Sequence, residues 1–313
     1  MKPRYLFLED RVFDEKIKKG FDYLKSCTLC PRNCKVERLG GERGFCKTGR
    51  YAYVASYNLH FGEESPLVGT NGSGTIFFAG CNLGCVFCQN YEISHSVEGS
   101  YEVSEQDLAQ IMITLQQKGA HNINLVSPSH VVPQIIKAIK ISKDLGLKIP
   151  IVYNTGSYDK IEIINLLDGI VDIYMPDTKF FDSQASSKYL KAKDYPEIAK
   201  NAIKTMHKQV GDLILDKNNV AIKGLIVRHL LMPNNLAGTE KWLEFIAKEI
   251  SKNTYLNIMD QYRPCGEAHK FPELCSTISY TEYKHALDMA QKLGLTNLDK
   301  RDLSRLFFLL NRH

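Results

Sequence analysis

Residues 81–88 read CNLGCVFC, three cysteines with gaps of three and two residues, directly after the apolar run GTIFFAG at 74–80. Thiolates gathered on one short loop bind metal. A structural zinc site takes four ligands in a closed tetrahedron, and a [4Fe–4S] cube is most often held by four thiolates. Three local thiolates therefore leave either a distant fourth ligand or one iron kept open. The open iron fits better, because a catalytic metal keeps a free position for what it acts on. Gly80 and Gly84 permit the backbone turns that curl three sulfurs toward one point.

A second group precedes it: CTLCPRNCKVERLGGERGFC carries Cys27, Cys30, Cys34 and Cys46, with gaps of two, three and eleven. Four thiolates suit a structural zinc or a fully ligated second iron–sulfur cluster, and the spacing does not separate the two. Gly40, Gly41 and Gly44 supply the bends that fold the segment onto one centre. Nine cysteines behind an N-terminus without an uninterrupted apolar core point to metal rather than to disulfides. Cys275 and Cys265 stand apart and read first as small, partly buried thiols.

The elements that would position these groups follow from periodicity. Short β-branched runs at 74–80, 122–128, 149–156, 171–177, 224–233 and 254–262 alternate with segments of helical period at 104–118, 131–145, 159–168, 196–209, 239–251 and 281–293. In the first helix Leu108, Ile111, Met112 and Leu115 share a face, and Ser104 is placed to cap it. Strands joined by helical crossovers pair in parallel. Six such units predict an α/β fold, an open (β/α)6 partial TIM-like barrel over 74–313, preceded by a cysteine-rich extension over 1–73. Residues 213–223 interrupt the pattern and read as a hairpin turning at Asn218 and Asn219.

Composition narrows the class. Of 313 residues, 44% are apolar and 24% charged, ordinary values for a globular protein, and no apolar run approaches a membrane span. The expectation is a cytoplasmic protein without membrane contact. The net charge of +5 is spread along the chain, so it does not argue for nucleic acid. Chemistry in parallel barrels sits on loops leaving the C-terminal ends of strands, and Cys81 opens the first such loop.

The stretch CNLGCVFCQNYEIS resembles the signature loop of the radical S-adenosylmethionine (SAM) superfamily, with Phe87 as its aromatic residue before the last cysteine. Further blocks, CTLCPRNC, RGFC, IVYNTGSYD, DIYMPDTKF, LIVRHLLMP and QYRP, are similar in order to the family of pyruvate formate-lyase activating enzyme-like proteins. The resemblance implies that Cys81, Cys85 and Cys88 hold a [4Fe–4S] cluster whose fourth iron is chelated by SAM. Reductive cleavage of SAM would give a 5′-deoxyadenosyl radical, with an electron donor such as flavodoxin or ferredoxin. The cofactors carry that chemistry, while the protein orients them and excludes competing reactions.

By similarity, Asn154, Asp177, Lys179 and His229 hold SAM at the strand ends, and Asp177 with Met175 and Thr155 resembles a cation-binding corner. Many superfamily members carry Gly-Gly-Glu after the second strand, where it meets SAM's amino group. This chain has VSPSH, so Ser127, Ser129 or His130 would take over that contact. Gln261, Tyr262 and Arg263 suit substrate recognition at the sixth strand end, and Cys265 is a candidate hydrogen-atom donor. The substrate class stays open between a glycyl-radical enzyme, another peptide, an RNA and a small molecule. The rival from another class is a cysteine-rich zinc protein that binds nucleic acid or partners, although no nucleic-acid module is recognisable.

Overall fold

The computed structural model describes residues 2–299. Nine strands form one sheet: β1 (Ala52–His60), β2 (Ser73–Phe78), β3 (Tyr101–Val103), β4 (Ile123–Val126), β5 (Ile151–Thr155), β6 (Ile173–Thr178), β7 (Ile214–Leu215), β8 (Ala221–Leu230) and β9 (Tyr255–Met259). Their order is β3-β1-β2-β4-β5-β6-β8-β7, with β9 also on β8. The neighbours β2, β4, β5, β6, β8 and β9 run parallel, and these are the six strands the apolar runs predict. The sheet does not close. On its β2 edge the antiparallel strands β1 and β3 continue it, so the extension shares the sheet rather than packing on it.

Helices lie where the 3.6-residue period places them: Glu105–Gln117, Val132–Asp144, Ile161–Leu166, Tyr195–Val210, Thr239–Phe245 and Tyr280–Lys292. Ser104 closes a capping box with Asp107, each satisfying a backbone N–H that the helix leaves free. The helix Ser183–Leu190, capped by Asp182, lies inside a stretch that periodicity leaves unassigned. The expected hairpin is β7 with the start of β8, so β8 begins earlier than the apolar run alone suggests; the Asp216 carboxylate fastens its turn by accepting from the Asn218 and Val220 N–H groups. Residues 300–313 of the expected 74–313 unit lie outside the described residues.

Side-chain alternation divides the parallel strands into two faces. Ile76, Leu125, Tyr153, Tyr174, Val227 and Leu256 join the large core beneath the helices. Val152, Ile173, Met175, Ile226 and Tyr255 form a smaller core on the other, concave face, plugged by Leu67 from the short helix Ser65–Val68. Toward the strands' C-terminal ends that concave face, the lumen, turns polar. Among the described residues, no helix is long and apolar enough to cross a membrane.

Candidate active site

The loop of Cys81, Cys85 and Cys88 leaves the C-terminal end of β2 and presses on the N-terminal cysteine segment. Gly80 and Gly84 both have positive φ; a Cβ on Gly80 would stand 2.2 Å from the Cys46 carbonyl oxygen, and one on Gly84 2.7 Å from the Phe45 ring. Only glycine admits that approach. The Leu83 N–H donates to Cys81 Sγ at 3.4 Å and the Ser94 hydroxyl to Cys88 Sγ at 3.3 Å, the kind of donation that suits thiolate sulfur. Burial pushes the Cys85 thiol up, the Lys179 cation opposes it, and Cys88 and Cys81 push it further. The three sulfurs thus lie within one another's fields. Such thiols ionise when a metal binds, since a coordinated thiol is deprotonated outright.

Cys27, Cys30, Cys34 and Cys46 share a second knot. The Cys27 N–H donates to the Val36 carbonyl at 2.8 Å, the Lys35 N–H to the Cys27 carbonyl at 2.9 Å, and the Phe45 N–H to Cys34 Sγ at 3.4 Å. Burial first, and then the fields of Cys46, Cys27 and Cys34, push the Cys30 thiol up to about 12. Among the described residues, no three His, Cys, Asp or Glu side chains already stand as a ready ligand shell.

Two arginines that sequence reasoning missed fasten the N-terminal knot, Arg32 to the Cys81 loop and Arg38 to the loop after β4. Arg32 donates to the carbonyls of Asn82 (2.8 Å), Leu83 (2.6 Å), Leu190 (3.0 Å) and Lys191. Arg38, 1% exposed, donates to the carbonyls of Gly49 (2.9 Å) and His130 (2.8 Å). Their signal was position alone: each lies between cysteines of one metal-type group.

Asn154, Asp177 and Lys179 meet in the lumen, joined by Arg228. The Arg228 Nε donates to Asp177 Oδ1 at 2.7 Å, its Nη2 to Asn154 Oδ1 at 2.6 Å, and Lys179 Nζ to Asp177 Oδ2 at 3.1 Å. Burial would push the Asp177 carboxyl up, but the Arg228 and Lys179 cations outweigh it and hold it below the usual range. Strand alternation could have found Arg228, which shares a face with Ile226 and opposes Asp177 across the β6–β8 ladder.

Other expected residues turn away from the lumen. His229 is fully buried beneath the helices, with Nδ1 at 2.8 Å from the Thr178 hydroxyl and Nε2 at 2.9 Å from the Thr239 hydroxyl. Burial lowers its pKa to about 4, so it is neutral. His130 places Nε2 at 3.0 Å from the Ala79 carbonyl, and burial, then Arg38, lowers its pKa to about 4. The Ser129 hydroxyl pairs with Thr155 at 3.0 Å, and Thr155 donates to Asp159 at 2.6 Å. Thr155 therefore does not join Asp177 and Met175, which lie on the opposite face.

Ser127 stands at the end of β4 in a left-handed conformation, φ 58°, its N–H donating to the Asn154 carbonyl at 2.9 Å. Phe87 packs edge-on against Phe180 (5.6 Å) and Tyr262 (6.1 Å). The Tyr262 hydroxyl donates to the Leu274 carbonyl at 2.8 Å, which leaves Gln261 and Arg263 as the exposed members of that trio. Cys265 is half-buried and Cys275 exposed.

Residues 75–218 match the Radical SAM superfamily. An uncharacterized protein of Methanocaldococcus jannaschii, MJ0674, is 33% identical over 298 residues, covering 92% of this chain and 81% of its own length. The chain belongs to the radical SAM superfamily. A second uncharacterized protein of that organism, MJ0808, is 30% identical over 100 residues, 28% of either chain. Two solved structures share the fold. A radical SAM methyltransferase from Sphaerobacter thermophilus has TM-score 0.51 and 12% identity, over 73% of this chain and 66% of its own. HydG, a maturase of the [FeFe]-hydrogenase, has TM-score 0.50 and 14% identity, over 94% of this chain and 58% of its own. Superfamily membership brings a [4Fe–4S] cluster and SAM as cofactors and sets the radical SAM enzyme reading above the zinc-protein rival. Radical SAM enzymes need a reductant such as flavodoxin or ferredoxin.

Proposed function

We propose that this radical SAM enzyme holds its [4Fe–4S] cluster on Cys81, Cys85 and Cys88 and directs radical chemistry into the polar lumen beside them. Those cysteines would hold the cluster and the strand-end residues SAM, and the pair would supply reductive cleavage of SAM's sulfonium bond to methionine and a 5′-deoxyadenosyl radical. The observation that carries the reading is the closeness of the cysteine loop to Lys179. Leu83 of the loop and the Lys179 side chain crowd the same point at Gly156, and the Lys179 charge is felt by Cys85 and Cys81. Its ammonium donates to Asp177, which Arg228 holds in turn. In this role Lys179 pairs with SAM's carboxylate, and Asn154 and Ser127 offer polar groups at the strand ends. The buried walls keep water and stray hydrogen donors away.

The finer reading is activation of a glycyl-radical enzyme in the cytoplasm. What supports it is the resemblance of the ordered sequence blocks to those of pyruvate formate-lyase activating enzyme-like proteins. The N-terminal cysteines, in the 1–73 unit ahead of the 74–313 barrel, would hold zinc or a second cluster. Their contact with the Cys81 loop at Gly80 gives either metal a structural part, and a cluster an electron-relay part as well. Anaerobic reconstitution, iron and zinc counting, and 5′-deoxyadenosine formation with dithionite test the scheme. The triple variant C81A/C85A/C88A should lose product while keeping any N-terminal metal; persisting product overturns the cluster assignment. A glycyl radical seen by electron paramagnetic resonance on an added partner would establish the finer reading.

A further inference from the structure

The lumen contains two acids that the scheme above does not use. Glu63 and Glu64 come from the segment before β2, at the head of the short helix whose Leu67 plugs the barrel. Their side chains are only 8% and 4% exposed. Glu64 Oε1 accepts from Asn257 Nδ2 at 2.9 Å, but its Oε2 is buried without a hydrogen-bond partner. Two of Arg228's nitrogens are taken by Asp177 and Asn154. Its remaining Nη1 stands 3.7 Å from Glu63 and 3.8 Å from Glu64, too far to hydrogen-bond either.

Above the same floor lies Asn124, fully buried on β4, opposite Thr75 and Val152 in the ladder. Neither its amide nitrogen nor its carbonyl oxygen has a partner. The amide faces the Glu63 carboxyl closely enough to favour its charged form, yet closes no hydrogen bond with it. Native proteins rarely leave such groups bare, and each exception calls for an explanation.

Charge points to what is missing. Three carboxyls, Glu63, Glu64 and Asp177, share two cations, Arg228 and Lys179. Burial first, and then the Glu64 carboxylate, push Glu63 up to about 7, against the pull of Arg228. The unused atoms are mostly acceptors, at Glu63, Glu64 Oε2 and Asn124 Oδ1. An ammonium has three N–H donors and no acceptor, and a guanidinium five.

We infer that Glu63, Glu64 and Asn124 form a recognition site in the barrel floor for a cationic nitrogen group of the substrate, an ammonium or a guanidinium. The inference rests on the lumen being where the radical SAM chemistry happens, and it narrows the substrate to an amine- or guanidine-bearing molecule or side chain. The cation takes the place of the missing third positive charge, and the chain from Glu63 through Arg228 and Asp177 to Lys179 sets its distance from the cysteine loop.

The test uses the reconstituted holoenzyme with SAM and three probes of one length: 1,4-diaminobutane, 4-guanidinobutylamine and uncharged 1,4-butanediol. Calorimetric titration should show binding of one or both cations and none of the diol. Titration at pH 7 in two buffers of different ionisation enthalpy should show up to about half a proton released per site on binding, because Glu63, raised to about 7, is only about half protonated there and gives up that share to face the cation. The variants Glu63→Gln and Glu64→Gln, close in shape but uncharged, should each weaken cation binding at least about tenfold, and Glu63→Gln should also abolish the proton release. Thermal melting verifies that the variants fold. Failure of both cations to bind, equal binding of the diol, or full affinity in both variants overturns the inference. Iron content and SAM cleavage, read on the same preparations, report separately on the cluster scheme; a cation site absent from a protein that cleaves SAM counts against this inference alone.

Discussion

The two faces of the parallel strands, one residue apart in sequence, hold polar groups of opposite kinds. On the lumen face Asn154, Asp177 and Arg228 are linked by charge-assisted bonds, and Asp177 and Arg228 retain some exposure. On the helix face Thr155, Ser129, Thr178, His229 and Thr239 are sealed among apolar side chains, where hydroxyls, the imidazole and the buried Asp159 carboxyl satisfy one another. Both sets sit near strand ends, where polar residues read alike in the sequence. The lumen set joins cations to a carboxylate and is incompletely paired, whereas the helix-face set holds no cation and closes on its own hydrogen bonds. A polar residue at a strand end thus joins a charged network on one face and a sealed packing layer on the other.

The largest break in this contrast should come from Arg228→Met. It removes the group that compensates Asp177 and faces both Glu63 and Glu64, leaving buried carboxylates under-paired. Breaking a buried pair from one side costs about 3 kcal/mol or more. Urea unfolding should show that loss, and SAM cleavage should fall with it. A variant as stable and as active as the parent would mean that the lumen charges are not coupled.

His229→Gln sharpens the contrast, because it asks which face a strand-end histidine serves. Unfolded, His229 takes up a proton near pH 6.5; buried, it does so only near pH 4. Between those values the unfolded state binds more protons, so stability is present above about pH 6.5 and falls as the pH drops toward 4. This share amounts to roughly 3 kcal/mol across the window. The variant should be less stable at neutral pH but show a flatter slope of stability against pH. An unchanged slope would place the histidine in contact with solvent. SAM cleavage at subsaturating SAM decides the rest: a parental rate leaves His229 a packing residue, and a slower one restores the cofactor contact that resemblance assigns to it.

The smallest effect is expected at Ser129→Ala. It deletes one hydroxyl partner of Thr155, which keeps its bond to Asp159. Such a bond contributes about 1 kcal/mol net. The loss should appear in thermal melting, with no change in iron content; a fall in iron would tie the helix face to the cluster loop more closely than these contacts do.

Much of this was legible in local sequence. The six parallel strands and their crossover helices follow from apolar periodicity, and the cysteine loop follows from spacing, because both depend on residues close together in the chain. Asn154, Asp177 and Lys179 were singled out from resemblance and from their place at strand ends, and the structure brings the three together around Arg228. Arg228 was overlooked in favour of its neighbour His229, although alternation from Ile226 assigns Arg228 to the lumen. Arg32 gave no sign of its task, since the carbonyls it grips lie at Asn82, Leu83, Leu190 and Lys191, far along the chain.

By itself the sequence determined the repeating unit, the thiol-bearing loop and the end of the barrel on which that loop sits, because strand period, turn glycines and cysteine spacing act over a few residues. Only the tertiary structure decided that Glu63 and Glu64, from a segment outside the repeating units, enter the lumen, with Glu64 meeting Asn257 across 193 positions. The physical reason is burial. A carboxyl's charge, partners and proton affinity depend on which distant groups enclose it, and that enclosure exists only once the sheet has curved around its plug.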